Sequence, residues 1–218
     1  MARQVYSYDR RAAAAMPLFA AFVYLSKTQH RGLDEDCDAV QDLIERLKSG
    51  DRQAATQAAK GLARHPQLRG FDGVVIPAPR STAGRPALTM FANTLVSQGI
   101  GNRVETPVVR EVPVESSRMR RRRGLPGVPL EQHEESMGVR AHGISPDEPV
   151  LVVDDILTTG ATLRAVANQL RKAGHRAPIM GAAAGYYEPD PSEHEACPVN
   201  YIRRAGVENQ RGTPQAQG

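Results

Sequence analysis

The segment Val150-Leu-Val-Val-Asp-Asp-Ile-Leu-Thr-Thr-Gly-Ala-Thr-Leu163 constrains the fold of this 218-residue chain more than any other. Val150 to Val153 run without a polar interruption into two adjacent carboxylates, Asp154 and Asp155. Such an apolar run predicts a strand buried on both faces, and strands of that kind belong to parallel sheets. A hydroxyl-rich turn containing Gly160 follows, and then a helical period begins. Unpaired N–H groups and the helix dipole favour an anion at a helix start, so this strand, turn and helix suit a phosphate. Carboxylates at the carboxyl end of the strand accept hydrogen bonds from vicinal hydroxyls and hold a hydrated divalent cation. Phosphate, diol and cation within one short loop point to a ribose 5-phosphate ligand. The plain alternative is a buried strand followed by an ordinary capped helix. Two carboxylates argue against it, because burying them unpaired is costly.

A second strand, loop and helix lies upstream. Val74, Val75 and Ile76 read as a buried strand, Pro77 to Gly84 as a loop, and Arg85-Pro86 as the opening of a helix. Leu88, Phe91, Ala92, Leu95 and Val96 give that helix its buried face. In an open parallel sheet, two loops at strand carboxyl ends converge on one crevice. The first loop carries Arg80 and Ser81. Arg80 offers a forked donor to phosphate oxygens, and N–H groups around Ser81 add to it. Taken alone, the loop also reads as a Pro-rich surface turn.

The motif Val152 to Thr162 resembles the signature of the type I phosphoribosyltransferases, which bind 5-phosphoribosyl 1-pyrophosphate (PRPP). The resemblance implies an open, mostly parallel twisted sheet flanked by helices. It implies that Thr158, Thr159, Gly160, Ala161 and Thr162 wrap the 5′-phosphate. Asp154 and Asp155 would be the catalytic carboxylates, facing the ribose hydroxyls and holding Mg²⁺ through water. Arg80 and Ser81 would take the pyrophosphate. It further implies transfer of the ribose 5-phosphate group to a nitrogen nucleophile, a base or ammonia, with release of pyrophosphate. A homodimer fits the family. The Pro-rich first loop resembles ComF-like and amidophosphoribosyltransferase-like members, although the cysteine ribbon of ComF is missing, which speaks against a DNA-uptake role.

Members of this family carry a flexible loop before the signature strand. The tract Ser116 to Pro129 sits there, basic, rich in Gly and Pro and without a period. Closure of such a loop excludes water from an oxocarbenium-like centre. Arg118, Arg120, Arg121, Arg122 and Arg123 would then neutralise the departing pyrophosphate. A nucleic-acid-binding tract and a solvated charge run are the competing readings. Two further functional classes stay open beside the transferase: a PRPP-sensing regulator that has lost the chemistry, and a nucleic-acid-associated protein. A fold does not guarantee an activity.

The remaining sequence sets the domain plan. Residues 1–68 read as an α-helical extension, a candidate hood over the acceptor; 69–205 as the α/β domain; and 206–218 as a disordered tail. Within the extension, Ala12 to Leu25 is too short to span a bilayer and reads as a packed helix or helix pair. A helix capped by Asp34 or Asp36 and stopped by Gly50 follows, then one capped by Asp51. The C-terminal part, Tyr186 to Arg204, reads as a loop with a strand at Val199 to Ile202, and is the other candidate hood. Leu130 to Met137 reads as a short helix on which His133 is a surface residue rather than an acid or base. Val104 to Val114 is β-rich, and Ala177 to Ala183 is a further strand. Cys37 and Cys197 are far apart and give no disulfide framework or zinc ribbon, which suits a reducing, cytoplasmic setting. The net charge of +4 suits polyanionic ligands, phosphorylated sugars and nucleic acid alike.

Overall fold

The computed structural model describes residues 3–5, 16–24, 35–80, 87–115, 119–120, 123–125 and 127–187. Its centre is the strand β7 (Val150–Leu157). Val150, Leu151, Val152 and Val153 are fully buried, because helices cover both faces of the sheet. β7 pairs in parallel with β3 (Val74–Pro77) on one side and with β8 (Ile179–Tyr187) on the other. Outside β3 lies the short parallel strand β4 (Arg103–Val104). Outside β8 lies β2 (Leu18–Tyr24), also parallel, and β1 (Arg3–Val5) closes that edge antiparallel. The order across the sheet is β1-β2-β8-β7-β3-β4. The expected open, mostly parallel sheet flanked by helices is therefore present.

The N-terminal apolar segment departs from its helical expectation. Leu18 to Tyr24 is an inner strand, not a helix. Phe19, Phe22, Val23 and Tyr24 are residue types that suit a pleated surface, and a short apolar run does not by periodicity alone choose between helix and strand. The neighbouring strand decides it. β8 carries Gly181, Ala182, Ala183, Ala184 and Gly185 opposite β2, leaving room for large side chains. A Cβ at Gly181 would lie 2.5 Å from Cδ2 of Leu18, so glycine here lets the Leu18 side chain approach without shifting. Alternation then sends Leu18 to one face and Phe19 and Ala21 to the other.

Two helices follow as expected, α1 (Glu35–Ser49) and α2 (Arg52–Ala63). Asp51 caps α2 by accepting from the N–H groups of Gln53 at 2.7 Å and Ala54 at 3.2 Å. Both helices share one core with the sheet. Ile44, Leu47, Ala55, Ala58 and Leu62 pack in the cluster that holds Val75, Leu151 and Val153. Each buried Leu or Ile there contributes about 1.5–3 kcal/mol. Among the described residues up to 68, β1 and β2 belong to the sheet, beside the helices α1 and α2.

The helix α3 (Ala87–Ser97) lies on the same face as α1 and α2 and carries the chain from β3 to β4. A small antiparallel pair, β5 (Val108–Arg110) with β6 (Met137–Val139), brackets the short helix α4 (Leu130–Glu135). The opposite face is covered by α5 (Ala161–Lys172), whose Leu163, Val166 and Leu170 pack on Val150 and Val152. Among the described residues, no helix is long and apolar enough to cross a membrane. The expected strand at Val199 to Ile202, the tail at 206–218, and both Ala12 to Ala15 and Leu25 lie outside the described residues.

Candidate functional site

β3 and β7 are neighbours whose crossovers leave in opposite directions. From β3 the chain passes through α3 to β4, and from β7 it passes through α5 on the other face to β8. A crevice opens where neighbouring connections diverge in this way, at the carboxyl ends of the strands. The pairing shows where it starts. β3 contacts β7 only as far as Pro77 opposite Val153, with one more bond from Ala78 N–H to the Val153 carbonyl at 2.8 Å. β8 stays paired to β7 through Leu157, opposite Tyr186. β7 therefore runs beyond the carboxylates instead of ending at them, paired there on the β8 side among the described residues.

Asp154 and Asp155 sit on that stretch, both partly buried. One carboxylate oxygen of Asp154 accepts from the Asp155 N–H at 2.8 Å. Burial, then the adjacent Asp155 charge, push the Asp154 carboxyl up to about 8. The cations of Lys48 and Arg80 oppose the rise. Lys48 comes from the last turn of α1, a contributor that its sequence position gave no reason to expect. The site thus holds a carboxyl whose charge is disfavoured until a cation or donor hydroxyls arrive.

The turn after β7 is built around Gly160. Its φ of 74° lies in the left-handed region, and it is the N-cap of α5. A Cβ here would be strained and would lie 2.8 Å from Cδ1 of Leu18. Glycine as cap has no side chain to satisfy the first-turn N–H groups of α5. Thr159 Oγ1 accepts from the Ala161 N–H at 3.3 Å. Arg164 donates from Nη2 to the Thr159 carbonyl at 2.7 Å, and its buried Nε–H has no partner among the described residues. Thr158, Thr159, Gly160, Ala161 and Thr162 are thus brought together at one helix start.

Across the crevice, Pro79 and Arg80 follow β3, while Ser81 lies outside the described residues. The Arg80 charge acts on Asp154, as follows from β3 and β7 being neighbouring parallel strands. The loop is braced by a residue the sequence reading passed over. Arg110, at the end of β5, donates from Nε to the Arg80 carbonyl at 3.0 Å and from Nη2 to the Pro79 carbonyl at 3.3 Å. Its Nη1 donates to Oγ of Ser136, and Nη2 lies 3.4 Å from Nδ1 of His133. Burial lowers the Arg110 pKa, opposed by the charge of Asp154.

His133 is not the surface residue expected. It is only 8% exposed, because the face of α4 that bears it packs against Arg110. Burial, then the neighbouring guanidinium, hold its pKa down at about 4. The spacing of His133 and Ser136 is the signal that was available, since residues three apart share one helix face. The other side of α4 is tied to α5. Glu134 accepts from Asn168 at 2.6 Å and pairs with Lys172 at 2.7 Å, and its carbonyl accepts from Gln169 at 2.6 Å.

Of the basic tract, Arg120 and Arg123 are described, and Arg118, Arg121 and Arg122 lie outside the described residues. Arg123 is paired with Glu115 at 3.0 Å. Of the exposed large apolar side chains among the described residues, Met119 and Leu125 fall in this stretch and Val112 lies just before it.

Comparison with known proteins follows the same line. The chain is similar to an adenine phosphoribosyltransferase of Gluconobacter oxydans (strain 621H), 43% identical over 54 residues, covering 25% of this chain and 29% of the relative. It is similar to another from Acidiphilium cryptum (strain JF-5), 36% identical over 70 residues, covering 29% and 41%. The match thus spans less than half the length of either curated relative. Among solved structures, an adenine phosphoribosyltransferase of Thermoanaerobacter pseudethanolicus ATCC 33223 aligns at 16% identity with a TM-score of 0.38, covering 86% of this chain and 94% of the other. The sequence profile of the Phosphoribosyl transferase domain matches residues 96–211, more than half of the chain, and the protein belongs to that family.

Proposed function

We propose that the protein transfers the ribose 5-phosphate group of PRPP to a nitrogen nucleophile and releases pyrophosphate. One observation carries the reading: a carboxylate pair and a glycine-capped helix start share one strand and turn, at the point where the sheet's crossovers diverge. The N–H groups and hydroxyls of Thr158, Thr159, Gly160, Ala161 and Thr162 hold the 5′-phosphate. Asp154 and Asp155 accept from the ribose hydroxyls. Arg80 and Ser81 take the pyrophosphate, and Arg110 braces the loop that carries Arg80. The bond from C1 to the pyrophosphate oxygen breaks, and its electron pair leaves with pyrophosphate. The acceptor nitrogen then forms the new bond to C1 and gives up its proton. Positioning and electrostatics supply the rate, with no covalent enzyme intermediate.

The donor set fits Mg²⁺. Two adjacent carboxylates are hard oxygen ligands, and the disfavoured charge on Asp154 is relieved by a cation. Asp154 and Asp155 would hold the ion through water, and bound Mg²⁺ supplies charge neutralisation at the pyrophosphate. Adenine is the first acceptor to test, because both curated relatives are adenine phosphoribosyltransferases. A cytoplasmic setting belongs to the same proposal, supported by the cysteine-poor sequence.

The test is to incubate the protein with PRPP and Mg²⁺ plus adenine, other bases, glutamine or ammonia. Pyrophosphate is assayed and new nucleotides are read by mass spectrometry. A nucleotide product is expected, and replacing both Asp154 and Asp155 by Ala should abolish PRPP binding in calorimetry. Binding without turnover across the panel would make the protein a PRPP sensor. No binding, together with salt-sensitive duplex DNA binding that is lost on neutralising Arg120, Arg121, Arg122 and Arg123, would replace the reading by a nucleic-acid function.

A further inference from the structure

The guanidinium of Arg110 has five N–H donors in a fixed fork. Its partners among the described residues are all neutral: the carbonyls of Arg80 and Pro79, Oγ of Ser136 and Nδ1 of His133. Among the described residues, no carboxylate lies within ion-pair distance of it. Ser136 is itself oriented, since its hydroxyl proton is given to the His133 carbonyl at 2.7 Å and its lone pairs are left for Arg110. His133 and Ser136 are 8% and 4% exposed, so this is a buried cradle and not a passing surface contact.

We propose that His133, with Ser136, is a positioning residue: it holds Arg110 as a strut under the Pro79–Arg80 loop and so sets that loop for the pyrophosphate of PRPP. The inference rests on the PRPP reading given above. A neutral cradle fixes the guanidinium without cancelling its charge, which stays available to an anion. A carboxylate at position 133 would fix it equally well and cancel the charge. An apolar side chain would keep the charge and lose the fixing. The imidazole does both tasks provided Nδ1 carries no proton, and burial beside Arg110 keeps the ring neutral over the working pH range.

The experiment compares His133→Leu, His133→Gln and His133→Glu in steady-state transfer from PRPP. His133→Leu should raise KM for PRPP roughly tenfold, the scale of one lost hydrogen bond to a charged group, and leave KM for the acceptor unchanged. His133→Gln, with an amide oxygen as acceptor, should recover most of the loss. His133→Glu should not, although it too supplies an acceptor. A purely structural role predicts instead that both KM values follow the melting temperature. Equal behaviour of the Leu and Gln variants, or an unmoved KM for PRPP, overturns the proposal.

A second measurement needs no substrate. Nitrogen-15 NMR of the wild-type ring should show the neutral form with its proton on Nε2 at pH 6, and Arg110→Met should raise its titration midpoint. If wild type binds PRPP but the ring titrates as a free histidine, the proposal falls and the PRPP reading stands. If the ring behaves as described but wild type binds no PRPP, the PRPP reading falls, and the positioning role falls with it.

Discussion

Replacing His133 by Gln should make the protein less sensitive to acid. The wild-type ring is held neutral down to about pH 4, whereas in the unfolded chain it accepts a proton near its ordinary 6.5. As pH falls through that window the unfolded state binds more protons than the folded one. Stability present above 6.5 is therefore progressively lost, and the loss is complete below 4. The full gap corresponds to about 3 kcal/mol, of which about 2 kcal/mol is gone by pH 5. Burial also lowers the pKa of His65 and His175, with the same sign. Those contributions, and the carboxylates', are common to wild type and variant, so the difference isolates position 133. Urea denaturation at pH 7.5 and at pH 5 measures it. With a urea slope of about 2 kcal/mol per molar, the wild-type midpoint should fall by about 1 M more than that of the variant. Equal falls for the two proteins would refute the buried, guanidinium-facing histidine.

Four other outcomes are expected. Gly160→Ala forces a left-handed residue against Leu18; it should cost about 1–2 kcal/mol in thermal unfolding and weaken PRPP binding in calorimetry. Phe19→Ala empties a site that is 0% exposed on the inner strand β2; a loss of about 3–5 kcal/mol is expected, and a loss below about 1 kcal/mol would show that β2 is not part of the core. Arg103→Ala breaks a forked contact to Glu148, at 2.7 Å from Nη2, that ties β4 to the start of β7; its partly exposed charge should make the loss no more than about 1 kcal/mol and salt-dependent. Because Asp154 is pushed up to about 8, ligands that need its charged form must displace a proton; affinity for Mg²⁺ with PRPP should strengthen from pH 6 to 8 by up to about tenfold per pH unit, with proton release seen by calorimetry in different buffers.

What could be read from the chain tracks how local the determining forces are. The run Val150 to Val153, the carboxylates and the glycine turn are neighbours in sequence, and their local chemistry is enough to place a strand, a turn and a helix. Asp51 and Gly50 marked helix ends for the same reason. Leu18 to Tyr24 failed because its conformation is set by β8, more than 150 residues away, whose Gly and Ala side leaves room for Phe19 and Leu18. His133 failed because burial of a histidine on a polar helix depends on what packs against it, and Arg110 lies 23 residues upstream. Lys48 reaches Asp154 only through the docking of α1 on the sheet.

The missed residues around the first loop share a role. In the proposed site the motif residues face the crevice, whereas Arg110, His133 and Ser136 brace the Pro79–Arg80 loop from behind. A brace of this kind leaves no short motif, since any donor and acceptor set that fixes the Pro79 and Arg80 carbonyls would serve. Its position in the fold is nonetheless constrained. α4 presents His133 to Arg110 on one side and Glu134 to Asn168 and Lys172 of α5 on the other. One short helix therefore spans from the brace of the first loop to the helix whose start forms the second. If the two loops bind the anions as proposed, their separation depends on α4 as well as on β3 and β7, through residues that lie outside either motif.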